Sequence, residues 1–357
     1  MRTGAQQTEP RIARIFGVDV RLHWSFLILV AFLLVDGFRL GGRGIFDATV
    51  WMVMLFGSVL VHELAHAVVG RARGAAVKDI VLLPIGGATR TERFPDRPRD
   101  EFLMTIVGPA SSFALAGLAG LAVVLSGRGL LPVDLHHGSL AARLFWLNIL
   151  LGGFNLLPAF PMDGGRILRA GLTTAFGKPR ATQIAATVGK AFAIGFGILG
   201  IYTNLWFLII AVFIFMAAGG EAQEVQMTAA VEGRRVEEAM LRPAPVVSGG
   251  TTLRQAVSEA LASGLDALIV QTPARLGVAA LPDLVAAEAA DPGAPVESAA
   301  RFDVPTVAPQ ASLSNAVESL QRAAAPALPV TESGTVVGIL TQGSVRRLAA
   351  RLLASRG

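Results

Sequence analysis

Long apolar runs separated by short basic connections fill the first 220 residues, and shorter amphipathic and alternating segments follow them. Runs long enough to cross about 30 Å of hydrocarbon as helices occupy residues 22–38, 48–70, 102–126, 142–157, 184–201 and 205–218. They predict six membrane spans. The fourth and sixth are short, and Gly153, Asn155 and Pro158 interrupt the fourth, as expected where irregular backbone lines a site instead of facing lipid. Past Gly220 no run is long enough to span. From residue 236 the chain reads as two similar halves, 236–290 and 296–355. Each predicts a helical start, an extended segment (Pro245–Val247; Pro305–Val307) and an amphipathic helix (Leu253–Ser263; Leu313–Ala323). Two strands and a closing helix follow, the first strands at Ala267–Gln271 and Ala327–Val330. That order is α/β. The expected plan is therefore an N-terminal tail (1–20), a membrane domain (21–220), a linker (221–235) and a two-part α/β tail.

Composition sharpens this picture. Hydrophobic residues make up 53% of the 357 and charged residues only 16%, the balance of a polytopic α-helical membrane protein. A net charge of +5 could suggest nucleic acid, but the basic residues gather at the ends of apolar runs and form no separate basic segment. Arg11, Arg14 and Arg21 precede the first run, seven Lys and Arg lie between Arg71 and Arg99, and five lie between Arg166 and Lys190; the alternate connections hold few. No nucleic-acid partner is expected. The positive-inside rule puts both termini of a multi-pass plasma-membrane (bacterial inner-membrane) protein in the cytoplasm. No small-residue cleavage site follows the first run, which reads as a retained anchor. With no cysteine in the chain, disulfides and thiolate metal ligands are excluded.

Inside the second run stands His62-Glu63-Leu64-Ala65-His66, where ionisable side chains are expensive and need a function. Histidines at i and i+4 share one helix face about 6 Å apart, which suits two positions of a tetrahedral zinc ion. Glu63 can serve beside them as a general base. With the termini inside, the second span runs toward the cytoplasm, and His62 lies ~12 Å along the helix before Arg71. The fourth span runs the same way and ends at Asn155-Leu156-Leu157-Pro158-Ala159-Phe160-Pro161-Met162-Asp163-Gly164-Gly165. Asp163 thus reaches a similar depth and can supply a third, anionic ligand. Taken alone it could equally cap the helix that follows.

Together, His62-Glu63-x-x-His66 in one span and Asn155-x-x-Pro158-x-x-x-x-Asp163-Gly164 in a later one resemble the site-2 protease family of intramembrane zinc metalloproteases, over roughly residues 21–218. The duplicated tail resembles a pair of CBS domains, as in the branch of that family that ends in them. The resemblance implies one zinc on His62, His66 and Asp163, with Glu63 activating water. Asn155 matches the asparagine thought to hold substrate; a hydrogen bond tying two spans together is its alternative. Leu82 to Ala88 matches a segment thought to dip into the membrane as an extended hairpin, so Gly86 and Gly87 would take substrate by strand addition; an interfacial loop is the alternative there. Ser111 and Ser112 stand where many relatives have asparagine.

The expected activity is hydrolysis of a peptide bond in or near the transmembrane segment of a single-span protein lodged in the lipid bilayer, as regulated intramembrane proteolysis. A CBS-gated metal transporter or sensor is the rival, but transport needs ligands along a path and the sequence offers one compact set. The CBS pair implies adenine nucleotide binding and homodimer formation. Its Gly-hydrophobic-hydrophobic-Ser/Thr-x-x-Asp pattern is incomplete in both halves: Ala280 replaces the hydroxyl while Asp283 is present, and Thr341 is present while Ser344 replaces the carboxylate. Asp283 and Thr341 are the nucleotide-binding candidates.

Overall fold

The computed structural model describes the chain from Glu9 to Ser355, except residues 29, 32–34, 36–40, 84–85, 96, 132 and 134–137, and leaves the side chains of 41–43 and 92–93 undescribed. It divides into two units, residues 1–223 and 224–357.

The first unit opens with a sheet that the sequence reading had taken for a tail. Strands β1 (Arg11–Ile15) and β2 (Val18–Leu22) pair antiparallel around Phe16 and Gly17, both at positive φ (49° and 77°), the turn geometry that matches strand twist. The alternation Val18, Val20 against Asp19, Arg21 is what makes β2 a strand: the two valines are buried and the polar residues are not. β2 lies parallel to β3 (Ala76–Leu83), and β3 antiparallel to β4 (Gly86–Arg93), in the order β1-β2-β3-β4. Parallel neighbours need a long crossover; the chain between them contains α1 (Gly41–Ala72). Val18, Val20, Ile80 and Leu82 of the sheet pack with Phe56, Val59 and Ala67 of α1 in one core. The segment 82–88 is therefore an extended hairpin, with Leu83 opposite Gly86; its tip at 84–85 is outside the described residues.

Four described helices are long and apolar enough to cross a membrane: α1 over Gly44–Ala72, α2 (Pro98–Leu125), α5 (Lys178–Tyr202) and α6 (Leu205–Val231). The expected fourth span is the 16-residue α3 (Leu140–Asn155), and much of the expected first, residues 22–38, falls outside the described residues. α3 is followed by a turn ending in α4 (Asp163–Phe176), and the Phe160-Pro161 bond in that turn is cis. α4 is fixed from two sides: Arg169, 2% exposed, donates from Nε (2.9 Å) and Nη2 to Glu101 Oε1 of α2, and from Nη1 to Glu221 Oε1 of α6 at 2.6 Å. The segment expected as a linker, 221–235, is largely helical. α6 continues through it to Val231, since Glu221-Ala222-Gln223-Glu224 and Ala229-Ala230 favour helix and nothing breaks it before Gly233.

In the second unit the short helix α7 (Val236–Ala239), β5 (Val246–Ser248), α8 (Leu253–Ser263), β6 (Ala267–Gln271), β7 (Leu276–Ala280) and α9 (Leu281–Ala290) make the first half. A 3-10 turn (Val296–Ala299), α10 (Leu313–Arg322), β8 (Ala327–Glu332), β9 (Thr335–Thr341) and α11 (Gln342–Ala354) make the second. β5 runs parallel to β6, and β6 and β7 are antiparallel. The same plan recurs with β8 and β9, beside which Val307 forms a single parallel bridge to Val330. Ala267, Ile269 and Val278 of one half pack with Ala327 and Ile339 of the other, which joins the halves into one α/β unit.

Candidate metal centre

His62 and His66 stand one turn apart on α1, 3% and 7% exposed, and Asp163 is the first residue of α4. The structure brings the three together. His62 Nε2 and His66 Nε2 each lie 3.1 Å from Asp163 Oδ2 and 3.1 Å from one another. Asp163 is not a cap: Met162 holds that position, and no side chain there bonds the helix end.

The surroundings decide which atoms face inward. His66 Nδ1 lies 2.8 Å from the carbonyl of Met104, which can only accept, so that nitrogen carries the proton and Nε2 of the neutral ring presents a lone pair. His62 Nδ1 lies 3.0 Å from Ser112 Oγ, which leaves its Nε2 turned to the same point. With that ring in the same tautomer, two imidazole lone pairs and a carboxylate oxygen converge on one point, a set that a cation lying among them satisfies. Nitrogen and oxygen donors suit zinc, whose bonds of about 2.0–2.2 Å place tetrahedral ligands only a few tenths of an ångström further apart than these. The residues fit the ion.

Glycine makes room for this geometry. A Cβ on Gly108 of α2 would lie 2.1 Å from His66 Nε2 and 2.8 Å from His62 Nε2; the close packing of α2 is therefore exerted directly on the imidazoles. A Cβ on Gly164 would lie 2.2 Å from the Leu157 carbonyl, and one on Gly165 2.7 Å from Phe160 N. The turn from α3 can fold back on α4, and so aim Asp163, only without those side chains.

Glu63 lines the same cavity of about 440 Å³, as do Gly86, Gly87 and Asn155. Its Oε2 accepts from Thr89 Oγ1 of β4 at 2.6 Å. Asn155 Nδ2 donates to Leu151 of its own helix at 2.9 Å; the bond between spans comes instead from Asn148, fully buried, which donates to Ser58 Oγ at 2.9 Å. Asn148 and Thr89 are the polar residues that sequence reasoning passed over. An Asn in an apolar run was a usable signal for the first, but nothing local marked the second. Asp283 and Thr341 belong to the second unit. Thr341 caps α11, its Oγ1 accepting from Ser344 N at 3.0 Å while Ser344 Oγ accepts from Thr341 N at 3.1 Å, and Asp283 sits in the first turn of α9.

Comparison with known proteins bears directly on this centre. The family model described as Peptidase family M50 matches residues 50–136 and 132–196, and that of the CBS domain matches 292–351. Rip3 of Mycobacterium tuberculosis, named as a zinc metalloprotease, is 32% identical over 383 residues, covering 94% of this chain and 92% of its own. The chain belongs to Peptidase family M50. A zinc metalloprotease of Methanocaldococcus jannaschii is another relative of this M50 protein, 32% identical over 237 residues, 66% of this chain and 67% of that one. The solved site-2 protease of the same organism is 33% identical, covering 60% of this chain and 95% of its own with a TM-score of 0.47. The M50 chain is thus a zinc metalloprotease with a C-terminal CBS domain, and four of its described helices are long and apolar enough to cross a membrane.

Proposed function

We propose that the chain hydrolyses a peptide bond within or near the transmembrane segment of a single-span protein, in regulated intramembrane proteolysis, and that His62, His66 and Asp163 hold its zinc. The observation that carries this reading is the convergence of those three donors beside Glu63 in one cavity. Zinc, when bound, supplies Lewis acidity toward the scissile carbonyl and toward water. Glu63 takes the proton from the attacking water and delivers it to the leaving amine. Asn155, at the end of α3 on the cavity wall, orients the substrate. β4 is the edge strand of its sheet, so an unwound substrate segment can add to it by main-chain hydrogen bonds, with Gly86 and Gly87 permitting close approach. Unwinding is required because a helical amide is shielded by its own turn.

The basic connections argue for both termini in the cytoplasm, so cleavage would release a cytoplasmic fragment. The CBS unit is read as regulatory, binding an adenine nucleotide through Asp283 or Thr341, or as the contact of a homodimer. The test is to express wild type and Glu63→Gln in the native host and compare membrane proteins by terminal-peptide mass spectrometry. A cytoplasmic fragment made by wild type, and reduced about 10²–10⁴-fold in the variant while zinc stays bound, supports the reading and names the substrate. A fragment made equally by both sinks it, and zinc uptake would be measured next.

A further inference from the structure

Glu63 is gripped by one strand at two points. Residues i and i+2 of a strand share a face, and Gly87 and Thr89 of β4 both present that face to α1. At Gly87 a Cβ would lie 2.5 Å from Glu63 Cγ and 2.9 Å from Val59 Cγ1, so the glutamate stem lies directly against the strand. At Thr89 the hydroxyl donates to Glu63 Oε2 at 2.6 Å, with the Glu63 carbonyl 3.3 Å away. A hydroxyl has one proton, and the carboxylate, shorter and charged, takes it. The carboxylate is thereby restrained about its stem and about its last torsion, with a lone pair of Oε2 engaged by Thr89 and the remaining ones open to the cavity.

From this geometry we infer that Thr89 is a positioning residue for the general base: its hydroxyl orients the Glu63 carboxylate, so that the edge strand that would receive the substrate also aims the base. The inference rests on the reading of Glu63 as general base. It gives β4 two tasks in one element. A substrate strand added to its free edge fixes the backbone that carries Thr89, and the base is held for reaction when the substrate is in place.

The test uses the full chain, purified with zinc, and a quenched fluorescent single-span peptide with a Pro-Gly break as the probe. Thr89→Val keeps the shape of the side chain and removes the donor; kcat is expected to fall about 10–100-fold, the scale of a mis-set acid–base group, with KM and bound zinc unchanged. Thr89→Ser restores the donor and is expected to return the rate to within about threefold of wild type. In a Glu63→Gln background Thr89→Val should cause no further loss, because residues acting as one unit are not additive. A wild-type rate in Thr89→Val, a loss carried by KM or by zinc content, failure of Ser to restore, or a full additional loss in the Glu63→Gln background would each overturn the inference. Wild-type activity in Glu63→Gln alone would instead remove the general-base reading on which it stands.

Discussion

At Arg169 a buried guanidinium is closed by two carboxylates, Glu101 from α2 and Glu221 from α6, whereas at His62, His66 and Asp163 three electron-pair donors face one another. Both clusters are buried and both include a residue of α4. In the first, opposite charges arrive on three helices and satisfy each other, so its product is a fixed helix. In the second, two imidazole nitrogens and a carboxylate oxygen all turn to one point on the cavity wall, so its product is affinity for a cation. The difference shows how polar groups in an apolar unit divide into those that close on themselves and those left open for chemistry.

The largest expected effect breaks the closed cluster. Arg169→Met leaves Glu101 buried without its cation, which costs about 3–5 kcal/mol. Thermal unfolding of the purified protein in detergent should show it as a marked fall in Tm, with part of the loss recovered when Glu101→Leu is added, because an apolar replacement of the pair removes the stranded charge. If Arg169→Met unfolds at the wild-type temperature, the cluster is not what holds α4.

The next effect falls on the open cluster. Gly108→Ala places a methyl where the His66 and His62 Nε2 atoms now lie; the imidazole ends must move, and a displacement of about 1 Å at a precisely set centre costs on the order of 10²-fold. Zinc affinity, measured by competition with a chelator, should fall by that order. Stability should change less than for Arg169→Met, because alanine's better helix propensity, about 1 kcal/mol, offsets part of the overpacking. Equal zinc affinity in the variant would mean that the imidazoles do not need the space that Gly108 leaves.

Much of this centre was legible beforehand, because a helical i, i+4 histidine pair needs only local periodicity and Asp163 could be placed by span direction and depth. The alternative for Asp163, a helix cap, was removed only by three-dimensional arrangement, which also shows Asn155 bonding within its own helix and not between spans. Thr89 was hidden, and Ser112 was noted without its contact to His62, because their roles depend on which strand or helix lies against α1. The N-terminal sheet was missed for another reason. Its first two strands are five residues each, and the alternation of Val18 and Val20 with charged residues was masked by the basic character used to assign topology. The helical course of 221–231 went unseen because the change of composition past Gly220 marks the end of a membrane run and not the end of a helix.

The smallest effect concerns the C-terminal unit, where the comparison reappears on a finer scale. Thr341 and Ser344 are both buried and cap each other's backbone at the start of α11, Ser344 Oγ also donating to the Thr341 carbonyl at 2.9 Å. Ser344 thus closes on the helix start, as the Arg169 cluster closes on itself, where a nucleotide site would need a carboxylate for ribose. Titration calorimetry of the full chain with AMP and ATP is therefore expected to find affinity at this half weaker than about 1 mM, a binding free energy of only about −4 kcal/mol. Ser344→Asp keeps an oxygen able to cap the helix and adds the missing carboxylate, and it should tighten AMP binding by about 10-fold, the 1.4 kcal/mol that one added hydrogen bond to a charged group can contribute. Micromolar binding by wild type that Thr341→Val abolishes would show the reverse: that the capping pair opens for a ligand, and that the second half is a sensor after all.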